Sequence, residues 1–320
     1  MAIDIGKTFD TVPLFDPEVS NLVRAPLGDG PGWWAGAPGA TFDAQSNTFY
    51  LVYRQRQPRE LGRGVELRIA ASDNGIAFTD IWALPKTSLD ALSVERASLI
   101  RGLDGRWLLY LCYVYPEDGR WRVGLVEADE PDHFDVTTMT TLLIPEDFGA
   151  IRMKDPNVFI IGRMTYLLVT YATEEPAPNG LPFYRTGIAM SGDGRRFQWM
   201  GDATPIMNYP ALPNAGPAWD GHCRRIGAMV PLETGGWLAF YDGSASSAEN
   251  YEERTGIAQT FDLRTFYSLT PDHPALFSRH ATGCLRFVDV VQVGRELFYY
   301  YEIARADGAH ELRVSVVERT

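Results

Sequence analysis

Cysteine is scarce: Cys112, Cys223 and Cys284 are the only three among 320 residues, an odd number with no Cys-x-x-Cys pair. That excludes a disulfide framework and a zinc knuckle built on paired thiols, and leaves three buried thiols as the simple reading. Positive charge is outnumbered as well, 29 Lys and Arg against 41 Asp and Glu, a formal charge of −12. Such a balance opposes long-range attraction to nucleic acid or to an anionic membrane, so neither is an expected partner, although a local basic pocket remains compatible with it. No uninterrupted apolar run reaches roughly 18 residues, the lower limit for a membrane helix. The opening "MAIDIGKTFDTVPLFD" lacks the basic-then-apolar pattern of a secretion signal, and a cytoplasmic location is the default expectation. There is no P-loop, no GxGxxG after a strand, no GxSxG elbow and no HExxH. Nor does an apolar period of 3.6 with capping signals extend beyond short stretches, which argues against alternating βα units.

What the chain does have is an internal repeat. A turn followed by aromatic and β-branched residues recurs in "NTFYLVYR" from Asn47, "GRWLLYLCYV" from Gly105, "GRMTYLLVTYA" from Gly162, "GGWLAFYDGS" from Gly235 and "GRELFYYYEI" from Gly294. These turns lie 58, 57, 73 and 59 residues apart by subtraction. Each is preceded by a shorter apolar run, such as "RASLI" or "PNVFII", and followed by a third, such as "VELRIAASD" or "YRTGIAMSGD". Polar turns lead several third runs toward a fourth. Five copies of a four-stranded antiparallel unit predict an all-β, five-bladed β-propeller occupying residues 1–320 as one domain. A β-sandwich explains strands but not equivalent copies. The last copy has only three clear strands, so "TVPLF" near the N-terminus is expected to supply the missing outer strand and remove two exposed edges. Segments 174–182 and 201–222 are expected to decorate the propeller as loops.

In a propeller, first-strand starts and second-strand ends meet around one funnel. Aligning the copies puts Ala37, Glu95, Asp155, Arg225 and Phe287 at equivalent first-strand starts, with Arg96, Lys154, Arg224 and Arg286 beside them. The second-strand ends contribute Arg54, Arg56, Tyr113, Tyr115, Tyr171, Asp242 and Glu302. Charge is therefore expected at the mouth of apolar hairpins, and in "KDPNVF" it sits there visibly.

The stretches "WDGHCRRIGAMVPLETGGWLAFYDGS", "ERTGIAQTFDL" and "LRFVDVVQVGRELFYYYEIA" resemble the five-bladed propeller glycosidases, nearest to the mannoside phosphorylases and hydrolases of glycoside hydrolase family 130. "KDPNVF" is similar to the Arg-Asp-Pro segment of family 32 and to inner strands of family 43. The resemblance implies a glycosidic bond cleaved by hydrolysis or phosphorolysis, with a small saccharide or glycoside as ligand and inorganic phosphate as co-substrate in the second case. The motifs also depart from the pattern. Where family 130 carries Glu-Asp-Pro-Arg with the Asp as proton donor, this chain reads "VERASL", keeping Glu95 and placing Arg96 at the position of that Asp. Families 43 and 32 put an acid on the first blade's inner strand, whereas "GAPGATFD" offers only Asp43 at the far end.

Glycoside cleavage needs one carboxyl to protonate the leaving oxygen and a second group to attack or to activate water. Glu95 is the expected acid and Asp155 the expected base or transition-state stabiliser, with Asp242 able to substitute for either; ion pairing that merely closes the funnel is the competing use of all three. Arg54, Arg96, Arg152, Arg224, Arg225 and Arg286 could converge on phosphate or on an anionic sugar, because the guanidinium fork matches such groups. Lys154, Tyr171 and Glu302 complete the expected binding surface, and Trp33 and Trp34 offer indole faces for a sugar ring. His222 resembles the phosphate-contacting histidine of the phosphorylases in its neighbourhood. His280 could approach the channel axis, where related propellers hold calcium, but one histidine is a poor site for a hard cation and no metal is expected. Two further readings stay open: a carbohydrate-binding propeller without catalysis, and a lyase or cyclase using the same funnel.

Overall fold

A computed structural model describes residues 12–173, 183–202, 206–207 and 218–319. Among these the chain is all β, with only short 3-10 turns beside the strands. A lone strand β1 (Asn21–Arg24) comes first. Then β2 (Trp34–Asp43), β3 (Thr48–Arg56), β4 (Gly64–Ser72) and β5 (Thr79–Pro85) form an antiparallel ladder in chain order. A second ladder joins β6 (Val94–Arg101), β7 (Trp107–Val114), β8 (Trp121–Ala128) and β9 (Thr140–Leu143). In the third, β10 (Arg152–Ile161), β11 (Met164–Ala172) and β12 (Tyr184–Ser191) are followed by β13 (Gln198–Asp202). After β14 (Ile206–Met207), the strands β15 (Cys223–Pro231), β16 (Trp237–Ser244), β17 (Arg254–Thr260) and β18 (Phe266–Ser268) make a fourth, on whose edge β14 lies. Finally β19 (Leu285–Val293), β20 (Glu296–Ala304) and β21 (His310–Glu318) pair in order, and β1 adds to the outer edge of β21.

The apolar runs read from the sequence are the second strands, and they are buried on both faces, which is why they lack a polar alternation. Trp107–Val114 is buried at every position. Their side chains alternate between two cores, each shared by successive ladders: Leu109 and Leu111 pack with Val52 and Leu67, whereas Leu108 and Tyr110 pack with Leu167 and Val169. Tyr300 and Phe298 of the last ladder likewise meet Leu51 and Tyr53 of the first. Burying each such aromatic contributes about 1.5–3 kcal/mol, and its hydroxyl must find an acceptor. The third strands end in turns that provide one: Tyr300 Oη donates to Gly75 O at 2.8 Å and Tyr110 Oη to Gly194 O at 2.6 Å. Both glycines take positive φ, 70° and 71°, in the same Ser-x-Asx-Gly turn, a conformation that glycine reaches without steric cost.

The strand beside β21 is Asn21–Arg24 rather than "TVPLF". Pro13 has no N–H for a ladder, and its carbonyl instead accepts from Tyr299 Oη at 2.6 Å. Phe15 is buried against the rings of Tyr299 and Tyr301, with centroids at 4.8 and 4.6 Å. Thr11, residues 174–182 and most of the expected loop at 201–222 lie outside the described residues.

The first strands of neighbouring ladders are tied by hydrogen bonds. Ala40 N donates to Asp289 Oδ2 (2.8 Å), Val158 N to Ser98 Oγ (3.0 Å), Asn157 Nδ2 to Gly227 O (2.8 Å) and Arg96 Nε to Pro38 O (3.0 Å).

Candidate active site

Each first strand breaks register with its second strand near its start. The shift falls between Gly36 and Gly39, Val94 and Ala97, Lys154 and Asn157, and Arg286 and Asp289. A bulge of this kind re-aims a side chain out of the ladder. Ala37, Asp155 and Phe287, all inside such bulges, have φ of 51°, 55° and 54°. Non-glycine residues adopt this region rarely and hold it only where the surroundings enforce it. Glu95 lies in the corresponding bulge of β6. In β15 the shift spans Gly227 alone, so Arg225 faces Asp242 as Lys154 faces Thr170. Arg225 thus shares the position of Lys154 and Arg286, one residue earlier than the sequence alignment placed it. A side chain at position 227 would meet Arg96 Nη1 at 3.0 Å and Val288 O at 3.2 Å, which accounts for the glycine.

The bulged N–H groups are captured by second-strand acids of the preceding ladder. Asp242 Oδ1 accepts from Phe287 N at 2.9 Å, and Glu302 Oε2 accepts from Ala37 N at 3.1 Å. Around these acids a buried ionic network forms. Arg54 bridges Glu95 through Nε and Glu302 through Nη2. Arg286 reaches Glu302 Oε1 at 2.8 Å and Glu253 Oε2 at 2.6 Å. Arg225 contacts Glu253 at 3.1 Å, Asp242 at 3.2 Å and Asp155 at 3.5 Å, while Lys154 Nζ lies 3.2 Å from Asp155 Oδ2. Despite these charges, neither carboxylate oxygen of Asp155 accepts a hydrogen bond from the described residues, and Asp155 is only 4 % exposed.

The acids diverge in protonation. Burial alone would push Glu95 up, but Arg54, then Lys154 and Arg56, hold it below its ordinary range. Glu302 is likewise buried yet held well below by Arg286 and Arg54, and Glu253 is brought down to about 2 by Arg225 and Arg286. Asp242 goes the other way: burial, reinforced by Glu253 against the opposing Arg225, pushes it up to about 6.

A pH dependence of stability follows. Asp242, whose ordinary value is 3.8, favours the folded state fully below that value and loses this contribution as pH rises through about 6. Two pKa units correspond to about 3 kcal/mol. Raising the pH from 4.5 to 7 is therefore expected to shift the urea midpoint further downward, or less upward, in the native protein than in Asp242→Asn. An unchanged slope between these values in the variant would contradict the raised carboxyl.

The other expected site residues have definite places. Trp34 is buried at the start of β2, stacked on His310 (4.6 Å, 10° between planes) with the Arg56 guanidinium 4.0 Å from its ring, so its faces are engaged by protein groups. Trp33 is half-buried and folds over Gly28. Tyr171 carries the Arg185 guanidinium at 5.0 Å, and His222 stacks on Phe183 at 5.6 Å. Arg96 turns away from the acids to Pro38 O and Asp289. Arg224 pairs with Asp220, and Arg152 is exposed and donates to Tyr184 Oη. His280 is exposed beside the outer strand of the last ladder, in a 420 Å³ surface cavity shared with Glu311 and Arg313, away from the first strands. Asp43 closes a turn by accepting from Gln45 N and Ser46 N. The far ends of the first strands, from Ala40 to Gln292, line a separate 1020 Å³ cavity. Glu253, Tyr251 and His310 belong to the network but escaped the sequence reading, which took only first-strand starts and second-strand ends as funnel positions.

A thermostable family 43 glycoside hydrolase superposes with a TM-score of 0.66 at 13 % identity, covering 93 % of this chain and 92 % of that one. The β-1,2-mannobiose phosphorylase from Listeria innocua matches with a TM-score of 0.60 at 16 % identity over 95 % of both chains. A structure from the family 130 mannoside phosphorylases, which contain glycoside hydrolases that target β-1,2-mannosidic linkages in Candida mannan, gives 0.58 at 12 % identity over 98 % and 99 %. The fold is shared with these glycosidases. No protein-family model and no curated protein sequence matches the chain.

Proposed function

We propose that the chain is a single five-bladed β-propeller, closed by β1 on β21, that hydrolyses a glycosidic bond at the charged ends of its first strands. The cores shared by successive ladders, including the last with the first, support the closed ring. The observation that carries the chemistry is Asp155: a buried carboxylate in a bulge at positive φ, ion-paired through Oδ2 to Lys154 and Arg225, with neither oxygen accepting a hydrogen bond among the described residues. Asp155 is the group to take a proton from attacking water. Asp242, pushed up to about 6, is the proton donor to the leaving oxygen. Glu95, expected from the sequence as the acid, is held ionised by Arg54 and instead stabilises the positive charge that develops on the sugar. Because Arg54, Arg225 and Arg286 are each already ion-paired to buried carboxylates, water rather than phosphate is the favoured nucleophile, and a neutral saccharide the favoured substrate.

A second reading, carbohydrate binding without turnover, has its own support. Asp242 and Glu302 anchor the bulged N–H groups of the adjacent strand, a structural use that needs no catalysis. One experiment separates them: incubation with β-mannosides, β-xylosides and aryl glycosides, with and without inorganic phosphate, followed by calorimetry with the same sugars. Reducing sugar released without phosphate is the expected result. Formation of a sugar phosphate would replace hydrolysis by phosphorolysis, binding without turnover would favour the second reading, and neither would sink both.

A further inference from the structure

Beneath Trp34, three chain segments far apart in sequence bring together a histidine, a cysteine and a glutamate. His310 opens β21, Cys284 precedes β19 and Glu252 precedes β17; their ligand atoms all lie within 4.8 Å of one another. His310 is fully buried and fixed from several sides. Its ring stacks on Trp34, and its backbone N donates to Trp33 O at 3.0 Å. Nδ1 lies 2.8 Å from Glu302 Oε1, an oxygen already accepting from the Arg286 guanidinium, so Nδ1 is the donor, and a neutral ring then carries its lone pair on Nε2. Nε2 is buried and has no hydrogen-bond partner among the described residues; Glu252 Oε2, which accepts from Thr282 Oγ1, is 3.3 Å away. A lone pair facing a carboxylate across that gap lacks a positive charge between them. The carboxylate–imidazole relay behind it is the arrangement that orients histidine toward a metal.

We propose that His310 Nε2, Cys284 Sγ and the Glu252 carboxylate form a binding site for a borderline-soft divalent cation of the zinc class. One nitrogen, one sulfur and one oxygen suit zinc or cobalt; calcium and magnesium demand oxygen shells. A tetrahedral ion would draw the ligand atoms to roughly 3–4 Å apart, a side-chain adjustment from their present spacing. Glu252 is the half-exposed member and opens the site to solvent, leaving the fourth position for water or an added ligand. On binding, the Cys284 thiol gives its proton to solvent and the sulfur lone pair forms the metal bond, so uptake releases a proton. Among the described residues, the buried thiols of Cys112 and Cys223 belong to no such cluster.

The site is independent of the glycosidic reading, and its test reads no turnover. Titrating the purified protein with Co²⁺ in weakly buffered solution is expected to give one equivalent bound, intense visible bands of four-coordinate cobalt, a near-ultraviolet thiolate-to-cobalt absorption and release of a proton. Zn²⁺ should abolish the bands by displacement, whereas Ca²⁺ and Mg²⁺ should not. Cys284→Ser should lose the thiolate absorption. Glu252→Gln, at a partly exposed position least able to disturb folding, should weaken binding at least about tenfold. Absence of stoichiometric binding would overturn the proposal in favour of a His310 imidazolium bridging Glu302 and Glu252. Binding without a thiolate band, or unchanged in Glu252→Gln, would overturn it in favour of adventitious surface sites.

Discussion

Replacing Glu302 by glutamine is expected to lower stability by about 3–5 kcal/mol, the range for removing one member of a buried ion pair. The side chain is fully buried. Oε1 accepts from Arg286 Nε at 3.0 Å and Nη2 at 2.8 Å, and lies 2.8 Å from His310 Nδ1; Oε2 accepts from Arg54 Nη2 at 3.0 Å and from Ala37 N at 3.1 Å. Glutamine fits the space but turns an NH₂ toward one of these two sets of donors. Whichever amide orientation is adopted, a guanidinium loses its acceptor in a low-dielectric interior and the compensating charge is gone. Nor can the cluster relax toward β2, because Gly36 is packed so closely that an added Cβ would lie 2.2 Å from Glu302 Oε2. Urea denaturation measures the loss, with Glu296→Gln at the exposed start of the same strand as the control, expected within about 0.5 kcal/mol of the native protein. A loss under about 1 kcal/mol for Glu302→Gln would mean that the network is looser than its distances indicate.

The same residues show what the sequence could and could not disclose. The ladders were legible because a two-faced strand is written as a continuous apolar run, and because that run recurs after similar turns. Glu95, Asp155, Asp242, Glu302, Arg54 and Arg286, which alignment of the repeats places at equivalent strand ends, meet in one ionic network. The edge strand was misread since "TVPLF" is more apolar than Asn21–Arg24, yet an edge strand faces solvent and two of its four residues are exposed. Arg225 was displaced by one position because nothing local in "RRIGAM" announces that its bulge contains a single residue. Glu253 and His310 come from third-strand starts, whose approach to the first strands depends on the twist of each ladder and on the loop that carries Tyr251 at φ 79°. Charge state was hidden altogether: Glu95 and Asp242 look interchangeable as letters, and only the partners, Arg54 on one and Glu253 near the other, separate them.

Asp242→Asn is expected to lower turnover of an alkyl glycoside by about 10²–10⁴-fold, the contribution of a positioned general acid. The effect should depend on the leaving group. An alkoxide leaving oxygen must be protonated as its bond to the sugar breaks, whereas a nitrophenolate departs as a stable anion, so the variant's deficit should be much smaller with a nitrophenyl glycoside of the same sugar. Asp155→Asn removes the group that receives the proton from water, and its loss should be similar for both substrates. The pH profile gives an independent readout. With Asp242 at about 6, kcat/KM should fall as pH rises through that value, because the donor form is then lost, and Asp242→Asn should abolish that limb. Calorimetry with the unreacted sugar should show binding retained in both variants, which separates a chemical role from a collapsed pocket. Equal losses on alkyl and nitrophenyl substrates in Asp242→Asn would remove Asp242 as the donor. If the descending limb also persisted, proton donation would pass to a different carboxyl of the network, with Glu95 next to be tested through Glu95→Gln.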